Sequence, residues 1–185
     1  MRIISGKCRG LNLETLAGEA TRPTLDRVKE SLFNILGNIY NTSVLDLFAG
    51  SGALGLEALS RGAKSCDFVD VSKAAVNIIK KNVDKCRMND VSNVHQCDYE
   101  TAIKRFPDNS FDLVFLDPPY GRDMGILAIS KLKYAVNDDG IIVLETDATD
   151  VVPEKIDLFE KYDTRKYGRV VISFFRKAGF IDGGS

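Results

Sequence analysis

The 185-residue chain holds one histidine, His95, and four cysteines, Cys8, Cys66, Cys86 and Cys97, none of them in a Cys-x-x-Cys pair. That scarcity argues against a transition-metal centre, which draws on clustered imidazoles and thiolates, and no metal is expected. His95, next to Val94 near the end of an expected strand, reads as a strand-edge or surface histidine. Cys66 and Cys97 fall in apolar strand-like runs and read as small buried hydrophobes of a reducing compartment. No stretch approaches the ~18 apolar residues of a membrane span, and Met1-Arg2-Ile3-Ile4-Ser5-Gly6 is too short an apolar run for a signal peptide. A soluble, cytoplasmic, monomeric protein without a membrane partner is expected. An excess of one charge is also missing. The net charge of −1 excludes a protein that wraps nucleic acid by bulk charge but leaves room for a local basic patch. Repeats and low-complexity segments are absent.

What is present is enough apolar sequence for a full core, 44% of the residues, in a length that suits one domain with a small appendage. Residues 2–4 and 11–13 read as two short strands around the basic, glycine-flanked turn at Gly6-Lys7-Cys8-Arg9-Gly10. A helix is expected over 26–36, with Val28, Leu32, Phe33, Ile35 and Leu36 on one face and Gly37 as its stop. From residue 44 the pattern alternates. Strands are expected over 44–48, 68–71, 94–97, 111–116 and 140–145. Helices are expected over 54–61, 72–88, 99–106 and 123–136, the second capped by Ser72. A hairpin over 158–165 and 169–175 turns at Tyr167-Gly168. Such alternation implies a parallel sheet covered by helices on both faces, with antiparallel character from the hairpin.

The most informative residues are Asp117-Pro118-Pro119-Tyr120, at the end of an apolar strand. Each proline removes a backbone donor and fixes its own φ, and each drives the residue before it into an extended conformation. The result is a stiff loop that offers a carboxylate and carbonyl oxygens, followed by an aromatic ring. That set accepts hydrogen bonds from an exocyclic amine and stacks on a flat base.

A second motif, Gly50-Ser51-Gly52-Ala53-Leu54-Gly55, matches Gly-x-Gly-x-x-Gly between a strand and its helix. Glycines there allow a tight turn and close approach of a ligand to backbone amides. Asp70 stands twenty residues after Gly50, where a carboxylate can take both hydroxyls of a ribose. Either a dinucleotide or S-adenosylmethionine suits this geometry. Asp46, inside the first strand, separates them: it repels a pyrophosphate and attracts a cationic amino group or sulfonium. Asp98 can bond an adenine amine or cap the following helix. Asp46, Asp70, Asp98 and Asp117 all fall at strand C-terminal ends, where ligands of open α/β sheets bind.

Val-Leu-Asp-Leu-Phe-Ala-Gly-Ser-Gly (44–52) together with Asp-Pro-Pro-Tyr (117–120) resembles a class I S-adenosylmethionine-dependent methyltransferase acting on an exocyclic amine. Arg-Pro-Thr-Leu-Asp-Arg-Val-Lys-Glu (22–30), Arg2-Ile3-Ile4-Ser5-Gly6 and Arg9-Gly10 narrow the resemblance to the bacterial RsmD family, the 16S ribosomal RNA guanine-N2 methyltransferases. It covers roughly residues 1–177, and the N-terminal signature is its specific part. Leu11 and Asn12 stand where the family is more basic, and Asp70 where glutamate is common.

The resemblance implies a Rossmann-like α/β fold: a seven-stranded, mostly parallel sheet of order 3-2-1-4-5-7-6 with an antiparallel terminal hairpin. It implies an RNA-gripping N-terminal hairpin and helix over 1–40, a methyltransferase domain over 41–178 and a loose tail over 179–185. S-adenosylmethionine would be held by Asp46, Phe48, Gly50, Ser51, Gly52, Gly55, Asp70, Asp98 and Thr24. Asp117, Pro118, Pro119 and Tyr120 would form the catalytic loop. Arg2, Lys7, Arg9, Arg22 and Arg27 would contact 16S rRNA of the small ribosomal subunit. The capping and surface-charge readings of Thr24, Arg22 and Arg27 stand beside these roles. The competing functions are an adenine-N6 DNA methyltransferase, a protein amide methyltransferase, a nicotinamide-dependent oxidoreductase and a non-catalytic RNA-binding assembly factor.

Overall fold

The structure, a computed structural model, describes residues 1–16, 23–119 and 123–179. Its centre is an eight-stranded sheet of order β3-β2-β1-β4-β5-β8-β7-β6. The strands are β1 (Ser43–Leu47), β2 (Ser65–Asp70), β3 (Ser92–Gln96), β4 (Phe111–Leu116), β5 (Val136–Asp147), β6 (Lys155–Ile156), β7 (Phe159–Tyr167) and β8 (Val170–Lys177). The first five pair in parallel, and the last three are antiparallel additions.

The inner strands are apolar on both faces because both faces are covered. One face carries Val44, Phe68, Leu113, Phe115, Ile172 and Phe174 against α1 (Pro23–Leu36), α2 (Ala53–Ser60) and α3 (Lys73–Lys85). The other carries Leu45, Leu47, Val114, Leu116 and Phe175 against α4 (Tyr99–Ile103) and α5 (Met124–Lys131). A strand alternates its side chains between faces, so Leu113 and Phe115 serve one core while Val114 and Leu116 serve the other. Phe33 of α1 and Phe115 of β4 meet with ring centroids 5.6 Å apart. Full burial of such side chains contributes about 1.5–3 kcal/mol each.

The sheet corrects the expected strand count. The two-residue β6 pairs with β7 at the edge, so the expected order 3-2-1-4-5-7-6 becomes 3-2-1-4-5-8-7-6. A two-residue strand carries no legible alternation. β5 starts at Val136, not 140, because its first residues pair with Phe111 across a register shift. That extension shortens the preceding helix to Met124–Lys131. α1 starts earlier than expected, at Pro23, a residue whose fixed φ suits a first helical position. No helix among the described residues is long and apolar enough to cross a membrane.

The N-terminal turn pairs more narrowly than two strands. Its one bridge is Arg2↔Asn12, flanked by backbone bonds from Ile3 N to Leu11 O (3.0 Å) and from Leu13 N to Met1 O (2.9 Å). The rest of its order comes from α2. Glu57, fully buried, accepts the backbone N–H groups of Ile4 at 2.7 Å and Ser5 at 3.0 Å. It also accepts Arg61 Nε at 2.8 Å and faces Lys29 Nζ at 3.4 Å. Lys29 in turn donates to Arg2 O at 2.6 Å. Gly6 lies so close to Ser60 O that a Cβ would sit 1.7 Å from it. A charge buried on this scale is stable only when paired and hydrogen-bonded. Glu57 meets that condition by gathering the N-terminal segment, α1 and α2 around itself.

Candidate active site

The chain leaves β1 through a turn that non-glycine residues resist. Phe48 has φ 71°, Gly50 54° and Gly52 76°. Phe48 N and Ala49 N both donate to Val69 O, at 3.1 and 3.0 Å, tying the turn to β2. The third glycine serves packing. A Cβ on Gly55 would meet Phe68 at 2.4 Å and Cys66 Sγ at 2.6 Å, so α2 can lie against the sheet only with glycine there.

Two carboxylates brace the turn from beneath. Asp46 Oδ2 accepts Gly55 N at 2.9 Å. Asp70 accepts Gly50 N at 2.9 Å and Ser72 N at 2.8 Å. Asp46 is buried, and loss of water pushes its carboxyl up to about 7; the Gly55 bond opposes the shift and the Asp70 charge adds to it. Asn82, also buried, donates to Ser51 O at 2.9 Å and to Glu14 O at 2.9 Å. It thereby fixes the glycine turn to the N-terminal segment.

At the end of β3, Asp98 caps α4, accepting Thr101 N at 2.9 Å and Thr101 Oγ1 at 2.7 Å. Those two bonds hold its carboxyl below the usual range. The helix-cap reading of Asp98 is therefore realised, and its carboxylate still borders the cleft. Beyond β4, Asp117 and Pro119 are exposed and Pro118 is buried. α5 grips that loop: a Cβ on Gly125 would meet Leu144 Cδ1 at 2.5 Å and Pro118 Cγ at 3.2 Å.

These parts converge on a cleft of about 690 Å³. Asp46, Phe48, Gly50, Ser51, Asp70, Asp98, Asp117, Pro118 and Pro119 all line it. Gly52 and Gly55 shape the turn without lining the space. Phe48 and Tyr99 stand at one wall, ring centroids 5.4 Å apart. Tyr120 and Arg22 lie outside the described residues, as does the side chain of Thr24.

Arg2, Arg9 and Arg27 line a second cavity of about 780 Å³ between the N-terminal turn and α1, shared with Asp26 and Glu30. Arg2 pairs with Asp26 at 3.5 Å. Lys7 is exposed on the same turn but does not line that cavity. Cys66 is buried as expected, whereas Cys97 is only half-buried and borders the main cleft. His95, on edge strand β3, bonds Asp67 at 2.7 Å. No group of three metal-ligating side chains occurs among the described residues.

Sequence reasoning missed Lys29, Glu57, Asn82 and Glu145. The first three carried a signal: a charge or amide on an otherwise apolar helix face, such as Asn82 beside Val83. Glu145, which also lines the cleft, gave none, because a glutamate near a strand end is ordinary.

A mostly parallel sheet of this order, with a glycine turn and acidic strand ends around one cleft, defines a methyltransferase. The family described as conserved hypothetical protein 95 matches residues 1–176. The chain belongs to that family, that of the RsmD-type methyltransferases. It is 39% identical over 171 residues to ribosomal RNA small subunit methyltransferase D of Haemophilus influenzae, covering 89% of each chain. To the Escherichia coli protein of the same name it is 36% identical over 158 residues, covering 83% of this chain and 78% of that one. The solved structure of the Escherichia coli methyltransferase candidate yhhF superposes with a TM-score of 0.84 at 30% identity, covering 96% of this chain and 97% of the other.

Proposed function

We propose that the protein transfers the methyl group of S-adenosylmethionine to the exocyclic N2 of a guanine in 16S rRNA of the small ribosomal subunit. The observation that carries this reading is the convergence of Asp46, Asp70, Asp98 and Asp117 on one cleft beside the Pro118-Pro119 loop. The names of the relatives, ribosomal RNA small subunit methyltransferases, support an rRNA substrate.

The residues fit S-adenosylmethionine. A buried carboxylate raised to about 7 is a site that a cation relieves, and a pyrophosphate would aggravate it. Asp70, held by two backbone N–H groups, is placed for ribose hydroxyls, and Asp98 for the adenine amine. When bound, the cofactor supplies an electrophilic methyl carbon on a sulfonium.

The chain's own contribution is to hold the amine. The N2 lone pair is delocalised into the guanine ring. Acceptance of the two N2 hydrogens by the Asp117 carboxylate and the Pro118 carbonyl favours a pyramidal nitrogen and frees that pair. As the nitrogen takes the methyl that the bound cofactor would supply, Asp117 is placed to take the proton that the nitrogen sheds. Tyr120 stacks on the base, which must leave its RNA stack to reach the pocket. Alignment of nitrogen, methyl and sulfur accounts for much of the acceleration. Residues 1–40 serve as the RNA grip, with Arg2, Lys7, Arg9, Arg22 and Arg27 toward phosphate, and 41–178 as the catalytic body.

The test is methyl-labelled S-adenosylmethionine with small subunits from cells lacking the endogenous enzyme, followed by digestion to nucleosides. Label in N2-methylguanosine is expected. Label in N6-methyladenosine or in protein would replace the reading with a rival amine substrate. Asp117→Ala should lose about a thousandfold or more in turnover while cofactor affinity stays within about twofold. An equal loss of both would remove Asp117 from the catalytic role.

A further inference from the structure

Glu145 stands one residue beyond the Leu116↔Leu144 pair that joins β4 to β5. Asp117 stands one residue beyond the same pair on the neighbouring strand. Adjacent strands lie about 4.8 Å apart, so the two carboxylates leave the sheet side by side. They also share a face. Alternation puts Asp117 on the side of Phe115 and Glu145 on the side of Val143, and Phe115 pairs with both Asp46 and Val143. Both acids line the 690 Å³ cleft.

A second observation marks this end of β5. Thr146 is buried, and its hydroxyl has no hydrogen-bond partner among the described residues. It lines, with Glu145, Pro118 and Pro119, a 60 Å³ pocket behind the proline loop. Alternation turns Thr146 to the opposite face from Glu145, so its hydroxyl lies behind the proline loop and outside the guanine contact.

We infer that Glu145 is the residue that selects guanine, accepting the ring N1–H while Asp117 and Pro118 accept the N2 hydrogens. The inference rests on the proposed N2 transfer and deepens it. Guanine carries N1–H and N2–H donors on one edge, and two adjacent carboxylates match that edge. Adenine presents a lone pair at N1, which Glu145 repels. A site built to accept a donor disfavours an analogue that presents a lone pair at the same position.

2-Aminopurine keeps the 2-amino group, replaces N1–H with a lone pair and the 6-carbonyl with C–H, so the part of the discrimination that belongs to Glu145 is the part that Glu145→Ala removes. Small subunits are reconstituted with 16S rRNA bearing either guanine or 2-aminopurine at the position the wild-type enzyme labels. The wild type should methylate 2-aminopurine about 100-fold more slowly, measured as kcat/KM. Glu145→Ala should lose about 100-fold on guanine yet leave the 2-aminopurine rate nearly unchanged, so the preference collapses toward unity. Glu145→Gln, whose amide oxygen still accepts N1–H, should keep part of the preference. S-adenosylmethionine affinity, read by calorimetry, should be the same in all three proteins. Equal slowing of both substrates by Glu145→Ala, equal wild-type rates on both bases, or loss of cofactor affinity in the variants would each overturn the role of Glu145. A wild type that labels no guanine N2 overturns the proposed function itself, and the inference with it.

Discussion

Asp46 shows how much one side chain can be asked to do. Inside β1 it is removed from water, yet among the described residues its carboxylate accepts one hydrogen bond, from Gly55 N. A carboxyl raised from 3.8 to about 7 binds a proton in the folded state that the unfolded chain has already lost. Its contribution to stability is therefore greatest below pH 4 and falls as pH rises toward 7, by up to about 4 kcal/mol. Asp46→Asn keeps the acceptor for Gly55 N and removes the charge. The variant should lose less stability than the wild type between pH 5 and pH 8, measured as the shift in urea midpoint, and should bind S-adenosylmethionine more weakly. The same logic predicts proton release from the wild type when the cationic cofactor binds near pH 7, visible as a dependence of calorimetric heat on buffer ionisation enthalpy. Parallel pH profiles for the two proteins would remove Asp46 as the source.

At the scale of elements, the Asp117-Pro118-Pro119 loop is held by a helix that follows it. Pro118 and Pro119 stiffen the loop from within, but its position is set by the close approach of α5 at Gly125. A Cβ there would press on Leu144 and Pro118. Gly125→Ala should cost about 1–3 kcal/mol as overpacking and displace the loop. Turnover should drop about tenfold while cofactor affinity holds, since Gly125 presses on Leu144 and Pro118 and not on the glycine turn. A stability loss with undiminished turnover would show that Leu144 alone absorbs the methyl. The N-terminal turn follows the same pattern: its order rests on Glu57 and Ser60 of α2, the helix that the glycine turn opens, so the N-terminal turn and the glycine turn share one support.

For the whole molecule the proposed rRNA substrate raises the question of how a chain of net charge −1 would engage a polyanion. Bulk charge does not attract it, so affinity has to come from a local cluster. The cavity between the N-terminal turn and α1 gathers Arg2, Arg9 and Arg27. Asp26 already offsets Arg2, so Arg9 and Arg27 are the proposed phosphate contacts to test. The double variant Arg9→Ala/Arg27→Ala should bind the subunit more weakly and lower the slope of log affinity against log salt by roughly 1–2. An unchanged slope would place the RNA on another face.

Much of this protein was legible in its sequence, because periodicity, turn residues and the spacing of acids act locally. Alternating strands and helices determined the class of sheet. Gly50, Gly52 and Gly55, with Asp46 and Asp70, marked the glycine turn, and Asp117-Pro118-Pro119 marked the loop that leaves the neighbouring strand. Only the tertiary structure decided the rest. The edge strand β6 is too short to show a period. The narrow N-terminal pairing depends on Glu57, whose bonds to Ile4 N and Ser5 N span more than fifty residues of chain. Glu145 meets Asp117 solely because β4 and β5 lie in register, a relation between strands that no local pattern encodes.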